Sequence, residues 1–247
     1  MKTVITTKHN KIVYREGDKC VKMFAENYSK ADVLNEALNH ARVETTGLSI
    51  PALVSVNNID GKWAITYDYI EGKTLSQLVK ENPEKKEEYI EMLVDIQLSI
   101  HTHKCPLLTK LKDKMHRKIS SSKIDATTRY ELHTRLEGMP KHDKLCHGDL
   151  CLANVMIAED GTPFVIDWAH ATQGNASADA ARTYLTFMLG GDSEGAECYL
   201  DLFCKKSDTA KQYVQKWMPI VAASQSVKGM PEQQDLLMSW VNVVDWT

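Results

Sequence analysis

Asp149, Asn154 and Asp167 are residue types whose chemistry fits one reaction. The carboxylate of Asp149 can accept a proton from an attacking hydroxyl, while the amide oxygen of Asn154 and the carboxylate of Asp167 are hard donors suited to Mg²⁺. Five positions separate Asp149 from Asn154, and thirteen separate Asn154 from Asp167. Between the last two, residues 155–157 and 164–166 read as short strands around Asp160-Gly161, and an Asp-Gly pair flanked by apolar runs predicts a hairpin. A hairpin brings its ends together, so Asn154 at one base and Asp167 at the other are expected to share a metal. A base for a hydroxyl plus a pair of magnesium donors suits phosphoryl transfer. A metal-dependent hydrolase using His147 and Asp149 is disfavoured, because no further histidine–carboxylate cluster completes a two-metal site.

The elements that must position these groups begin with strands. Residues 4–7, 11–14 and 19–24 are short β-prone runs separated by polar turns. Ser29, three positions before Asp32, gives a capping-box-like helix start, with Val33, Leu34, Ala37, Leu38 and Ala41 falling on one side. Strands 52–56 and 63–67 follow, joined around Asp60-Gly61. From Thr74 the chain reads as mostly helical. A short helix covers residues 74–81, and Asn82-Pro83 starts a long one with Tyr89, Leu93, Ile96 and Ile100 at helical spacing. His101 and His103, two apart, point away from each other on a helix, so satisfied histidines are expected rather than a metal pair. Residues 109–123 are either an exposed helix with a flexible tail or a mobile insertion. Helices are predicted over residues 127–137, from Asp179, over 194–204, over 209–223 and over 231–244.

The pattern His147-x-Asp149-x-x-x-x-Asn154, followed by an apolar strand and Asp167-Trp168, resembles the catalytic and metal loops of aminoglycoside phosphotransferases and choline kinases. These are the small-molecule branch of the protein-kinase-like fold. The resemblance implies an α+β, bilobal fold: a small β-rich, nucleotide-binding N-lobe over residues 1–70 and a mostly helical C-lobe over 71–247 with the catalytic loop and acceptor site. It implies transfer of the γ-phosphate of ATP, with Mg²⁺, to the hydroxyl of a small molecule. Asp149 is then the base, Asn154 and Asp167 hold metal, Lys22 holds the nucleotide phosphates and Glu36 pairs with Lys22. The carbonyl of Asp68 and the amide of Ile70 would meet the adenine edge, Tyr67 would close the back of that pocket and Met156 would lie under the ring. Asp179 looks like the family's structural aspartate, which anchors the catalytic loop, and His147 supports that loop.

One stretch departs from the pattern. The first hairpin of such folds covers the nucleotide phosphates and is glycine-rich in protein kinases, whereas residues 7–11 (Thr-Lys-His-Asn-Lys) contain no glycine. Lys8 and Lys11 could add charge there. Asp179 arrives only twelve positions after Asp167, too little chain for an activation segment, which disfavours a protein kinase. A nucleotide-binding regulator on the same scaffold is the other alternative, but it need not retain Lys22, Asp149, Asn154 and Asp167 together. Tyr184, Tyr199, Trp217 and Trp240, with Asp192, Glu194, Glu197, Asp201 and Asp208 near them in sequence, suit a positively charged acceptor.

Composition sets the outer bounds. The 247 residues suffice for one substantial domain or two small lobes, and 43% hydrophobic with 26% charged residues is ordinary for a globular protein. A net charge of −3 gives no electrostatic reason to expect nucleic acid or an anionic membrane as partner. No stretch approaches a membrane span, the first residues lack a signal-peptide core, and six scattered cysteines show no C-x-x-C pair, so a cytoplasmic, reduced protein is expected. Cys146 and Cys151 bracket the catalytic loop, either open to oxidation or filling core. Oligomeric state and the acceptor's identity are left open by the sequence.

Overall fold

The structure is a computed structural model describing residues 2–8, 10–227 and 230–241. The chain forms two compact units, one of residues 1–81 with 153–170 and the other of residues 82–152 with 171–247.

The first unit is built on an antiparallel sheet in the order β1-β2-β3-β5-β4. Its strands are β1 (Lys2–Lys8), β2 (Lys11–Glu16), β3 (Lys19–Phe24), β4 (Leu53–Ile59) and β5 (Lys62–Asp68), with helix α1 (Lys30–Glu44) between β3 and β4. The β4–β5 turn holds Asp60 at φ 50° and Gly61 at φ 81°, the mirror-image geometry that makes Asp-Gly a hairpin signal. Ser29 caps α1 by accepting the Asp32 N–H at 3.3 Å. The helix lies on the sheet face carrying Phe24 and Ile65, against which Val33 and Ala37 pack.

That packing corrects the predicted helix face. Leu34 and Leu38 are exposed, and the buried side carries Val33, Glu36, Ala37, His40 and Val43. Val33 and Ala37 are buried as expected, but the apolar count turned the stripe toward Leu34 and Leu38 because three polar residues on the true one, Glu36, Asn39 and His40, have partners in the fold. His40 Nε2 lies 2.7 Å from the Pro51 carbonyl, and Glu36 meets Lys22. The unit is completed by β6 (Gly72–Thr74) and α2 (Leu75–Glu81).

In the second unit, α3 (Lys86–Thr102) follows a 3₁₀ turn at Pro83–Lys85. Next come α4 (Leu111–Ser121), α5 (Ala126–Gly138) and the short strand β7 (Lys144–Cys146). The first unit contributes the next hairpin, β8 (Val155–Ala158) and β9 (Pro163–Val165), with β8 also pairing β6. The second unit resumes with β10 (Thr172–Gly174), which pairs β7, then α6 (Ala176–Leu189), α7 (Ser193–Ser207), α8 (Lys211–Gln215), α9 (Met218–Ser226) and α10 (Gln234–Val241).

Helix α4 buries Leu111, Met115 and Ile119, so the lysine-rich span is a packed helix rather than an insertion. The single helix predicted over 209–223 is two. Pro219 lacks an N–H and its ring crowds the carbonyl four residues back, so the first helix stops at Gln215. Residues 242–244 of the predicted last helix lie outside the described residues, as does His9 of the first turn. Among the described residues, no helix is long and apolar enough to cross a membrane.

Candidate active site

Lys22 sits in mid-sheet, opposite Val13 on β2 and Ile65 on β5. Opposed residues share a face, so its side chain leaves the sheet on the side of α1. There its ammonium bonds the Glu36 carboxylate, and its second contact is Asp167 Oδ1 at 3.1 Å. The Lys22 side chain is only 8% exposed. Burial alone would lower its pKa, but Asp167 and Glu36 together raise it above the ordinary lysine value. Burial raises the Glu36 carboxyl against the pull of Lys22. Lys11 on β2 approaches the same carboxylate, 3.8 Å from Asp167 Oδ2. Desolvation holds its pKa below the ordinary value, Asp167 opposing and Lys22 reinforcing the shift.

Asp167 reaches this cluster through the β8–β9 hairpin. Val155 faces Val165 and Met156 faces Phe164, and the turn closes with Gly161 at φ 86° and Asp160 accepting the Thr162 N–H at 2.9 Å. At the hairpin base the Ile166 N–H donates to the Asn154 carbonyl at 3.0 Å, so the backbones of Asn154 and of the residue before Asp167 are directly bonded. Asp167 has φ 64°, a left-handed conformation that a non-glycine residue holds only where its surroundings enforce it. The anchor is Trp168, 1% exposed, whose indole N–H donates to the Val165 carbonyl at 3.0 Å. A buried amide oxygen and a carboxylate at one hairpin base form an all-oxygen donor set, which fits a hard divalent cation.

The expected adenine-side residues belong to the same unit on other elements. The Asp68 side chain accepts from Lys19 at 2.8 Å, and the Tyr69 N–H is taken by the Asp18 carbonyl at 2.9 Å. Beyond them, Ile70 is half-buried and outside any strand. Arg15 steadies this crossover, its guanidinium 4.1 Å from the Tyr69 ring centre and 2.9 Å from a Glu71 oxygen. Met156 is half-buried on β8 between Thr74 and Phe164. Tyr67 packs against the His40 ring and the core under α1.

In the second unit, Asp149 is held by two neighbours. Arg182 of α6 donates to its Oδ1 at 2.7 Å, and its own N–H donates to His147 Nδ1 at 3.2 Å. His147 is fully buried and acts on the loop backbone, as expected for a support. Asp179 braces the same loop from α6. It accepts the N–H of His147 at 3.2 Å and of Gly148 at 2.6 Å, and it also meets Gln97 at 3.2 Å and His101 Nε2 at 3.0 Å. Gly148 has φ 79°, which lets its N–H turn to the brace without the strain a Cβ would add.

Burial would raise the Asp179 pKa, but His101, His147 and the Gly148 N–H prevail and lower it. A carboxylate depressed in the folded state stabilises the fold above its unfolded pKa, and that contribution is lost as pH falls through the folded value. Asp179→Ala should therefore lower stability by about 1–3 kcal/mol or more, by orphaning buried donors. Thermal melts check this. Lost activity at unchanged melting temperature would make Asp179 a reacting group instead of a brace.

Several members of these networks escaped the sequence reading. Gln97 is one, a polar residue four positions before His101 on the buried stripe of α3, a signal that was available, while His101 meets Asp179 as the satisfied histidine expected. Arg182 stands one turn after Asp179, but nothing in the sequence pairs it with Asp149. Cys146 is buried, its thiol pKa pushed well up by desolvation, which makes it core rather than reactive. On the expected acceptor side, Tyr199 and Trp217 are fully buried in the core. Asp192 pairs with Lys86, and Glu197 and Asp201 pair with Lys211, because helix surfaces neutralise their acids locally. Those two aromatics and three acids are thus committed to packing and ion pairs.

With this geometry in hand, comparison with known proteins is direct. The sequence profile of the phosphotransferase enzyme family matches residues 8–212. No curated protein sequence matches the chain. Among solved structures, an aminoglycoside-3'-phosphotransferase of type VIII superposes with a TM-score of 0.66 at 16% identity, covering 91% of this chain and 93% of its own. A thermostable mutant of aminoglycoside phosphotransferase APH(4)-Ia, in ternary complex with AMP-PNP and hygromycin B, gives 0.70 at 14% identity, covering 97% and 90%. The choline kinase LicA from Streptococcus pneumoniae gives 0.65 at 15%, covering 97% and 92%. At such identities these are likenesses of fold, the kinase-like α+β fold expected from the motifs.

Proposed function

The chain belongs to the phosphotransferase enzyme family, and from that premise we propose that it moves the γ-phosphate of ATP to a hydroxyl of a small molecule. The observation that carries this is the buried Glu36–Lys22–Asp167 chain, which fixes an ammonium beside the Asn154–Asp167 donor pair. Lys22 is the phosphate ligand, and Glu36 keeps its long side chain from wandering. Asp68 and Ile70 present backbone groups to the base, and Met156 lies under it. Mg²⁺ held by Asn154 and Asp167 would neutralise phosphate charge. Asp149 orients the acceptor hydroxyl and takes its proton.

Between Asp167 and Asp179 the chain is used up by a 3₁₀ turn, β10 and the start of α6, which supports a small acceptor over a peptide. A coupled ADP-release screen over hydroxyl compounds tests the assignment. Transfer to at least one of them with Mg²⁺ and ATP is expected, and hydrolysis of ATP without transfer to any acceptor overturns it.

For the acceptor we propose a compound with a cationic group. Two of the similar structures bear the names of cationic acceptors, choline and aminoglycosides. Of the four aromatic residues considered, Tyr184 is buried like Tyr199 and Trp217, whereas Trp240, edge-on to Tyr184 at 6.0 Å, is half-buried and keeps some ring surface for a cation. Cation–π attraction of about 0.5–2 kcal/mol should then make transfer to the best acceptor weaken with added salt, and a neutral isostere lose most of its kcat/KM. An equally good neutral sugar or alcohol would remove the cation and leave the kinase standing.

A further inference from the structure

The hairpin that lacks glycine still has to meet a polyphosphate if this unit binds nucleotide. The strand register shows what stands in for the missing amides. Lys11 opposes Phe24 and Val13 opposes Lys22, so Lys11 and Lys22 are diagonal neighbours on one sheet face. Diagonal Cα atoms in such a pair lie about 7–8 Å apart, well within the reach of two lysines that converge on one point. They converge on Asp167, with Lys22 Nζ 3.1 Å from Oδ1 and Lys11 Nζ 3.8 Å from Oδ2.

The two ammonium groups are not equally provided for. Lys22 has Glu36 as well as Asp167. The Lys11 side chain is only 21% exposed, yet its closest carboxylate oxygen among the described residues is beyond hydrogen-bond distance. Withdrawing an ammonium from water without acceptors is costly, and a second ammonium nearby adds repulsion. Asp167 cannot serve both lysines once it holds a divalent cation. An anion with several oxygens placed between the two lysines removes every one of these costs.

We propose that Lys11 is a second phosphate ligand, taking by side-chain charge the role that backbone amides of a glycine-rich loop would otherwise fill. Its ligand is the β- and γ-phosphate part of a nucleoside polyphosphate. This rests on the reading of the unit as nucleotide-binding and goes beyond it in naming how the phosphates are gripped. Lys22 holds its place through Glu36, so the two lysines divide the work: Lys22 is fixed, and Lys11 becomes fixed when the polyphosphate arrives.

The test is calorimetric binding of Mg·ATP, Mg·ADP and adenosine to the full chain and to Lys11→Met and Lys11→Arg. Lys11→Met should weaken Mg·ATP and Mg·ADP by about tenfold or more and leave adenosine within about twofold. Lys11→Arg, which keeps the charge, should recover most of the loss. Equal weakening of all three ligands, or no weakening of Mg·ATP, overturns the role of Lys11. If the wild-type chain binds none of the three, the nucleotide reading itself fails, which is a separate outcome.

Discussion

Asp149→Asn should lower kcat by about a hundredfold or more, the usual size of a general-base contribution, while Mg·ATP affinity stays within about twofold. Asparagine keeps the shape of the side chain and one oxygen for Arg182, so the loop should hold. What it loses is the charge proposed to receive the hydroxyl proton. The backbone bond from residue 149 to His147 Nδ1 and the Asp179 brace on His147 and Gly148 do not involve the substituted group. An effect confined to kcat is therefore the signature of lost proton transfer, whereas a fall in melting temperature would point to a disturbed loop. If the variant keeps more than about a tenth of wild-type activity, Asp149 is not the base.

The residues that could be read in advance share one property: their role is written in local spacing. Asp160-Gly161 between two apolar runs marks a hairpin whatever surrounds it, and the ends of that hairpin are Asn154 and Asp167. Ser29 three residues before Asp32 marks the start of α1. Lys22 and Glu36, fourteen residues apart, needed the order of elements as well, and the family resemblance supplied it. What escaped depends on partners distant in the chain. Leu34 and Leu38 look like core until one knows that Glu36 and His40 find partners on the sheet side. Lys11 looks like one surface lysine among many until the β2–β3 register places it diagonal to Lys22. Tyr199 and Trp217 were assigned to an acceptor because aromatic residues serve both packing and recognition, and only burial separates the two uses.

Asp167→Ala should fail at an earlier step than Asp149→Asn. Its carboxylate is the counter-charge to Lys22 and Lys11 and, in the proposed function, a metal donor as well. Removing it leaves two nearly buried ammonium groups with Glu36 as the remaining carboxylate of the cluster, so their mutual repulsion grows. It also leaves Asn154 as the only proposed side-chain ligand, which weakens the hold on Mg²⁺. Three consequences separate this variant from the loss of the base. The Mg²⁺ concentration needed for half-maximal activity should rise by about tenfold or more, because one of the two proposed protein ligands is gone. Raising Mg²⁺ or substituting Mn²⁺ should restore part of the activity, whereas neither treatment should help Asp149→Asn, whose proposed role is toward the acceptor and not the metal. Metal-free nucleotide should bind no worse than to wild type, because two lysines freed of their carboxylate attract phosphate more strongly. A metal titration that superposes on the wild-type curve would remove Asp167 from the proposed metal site and leave its carboxylate only the counter-charge of the two lysines.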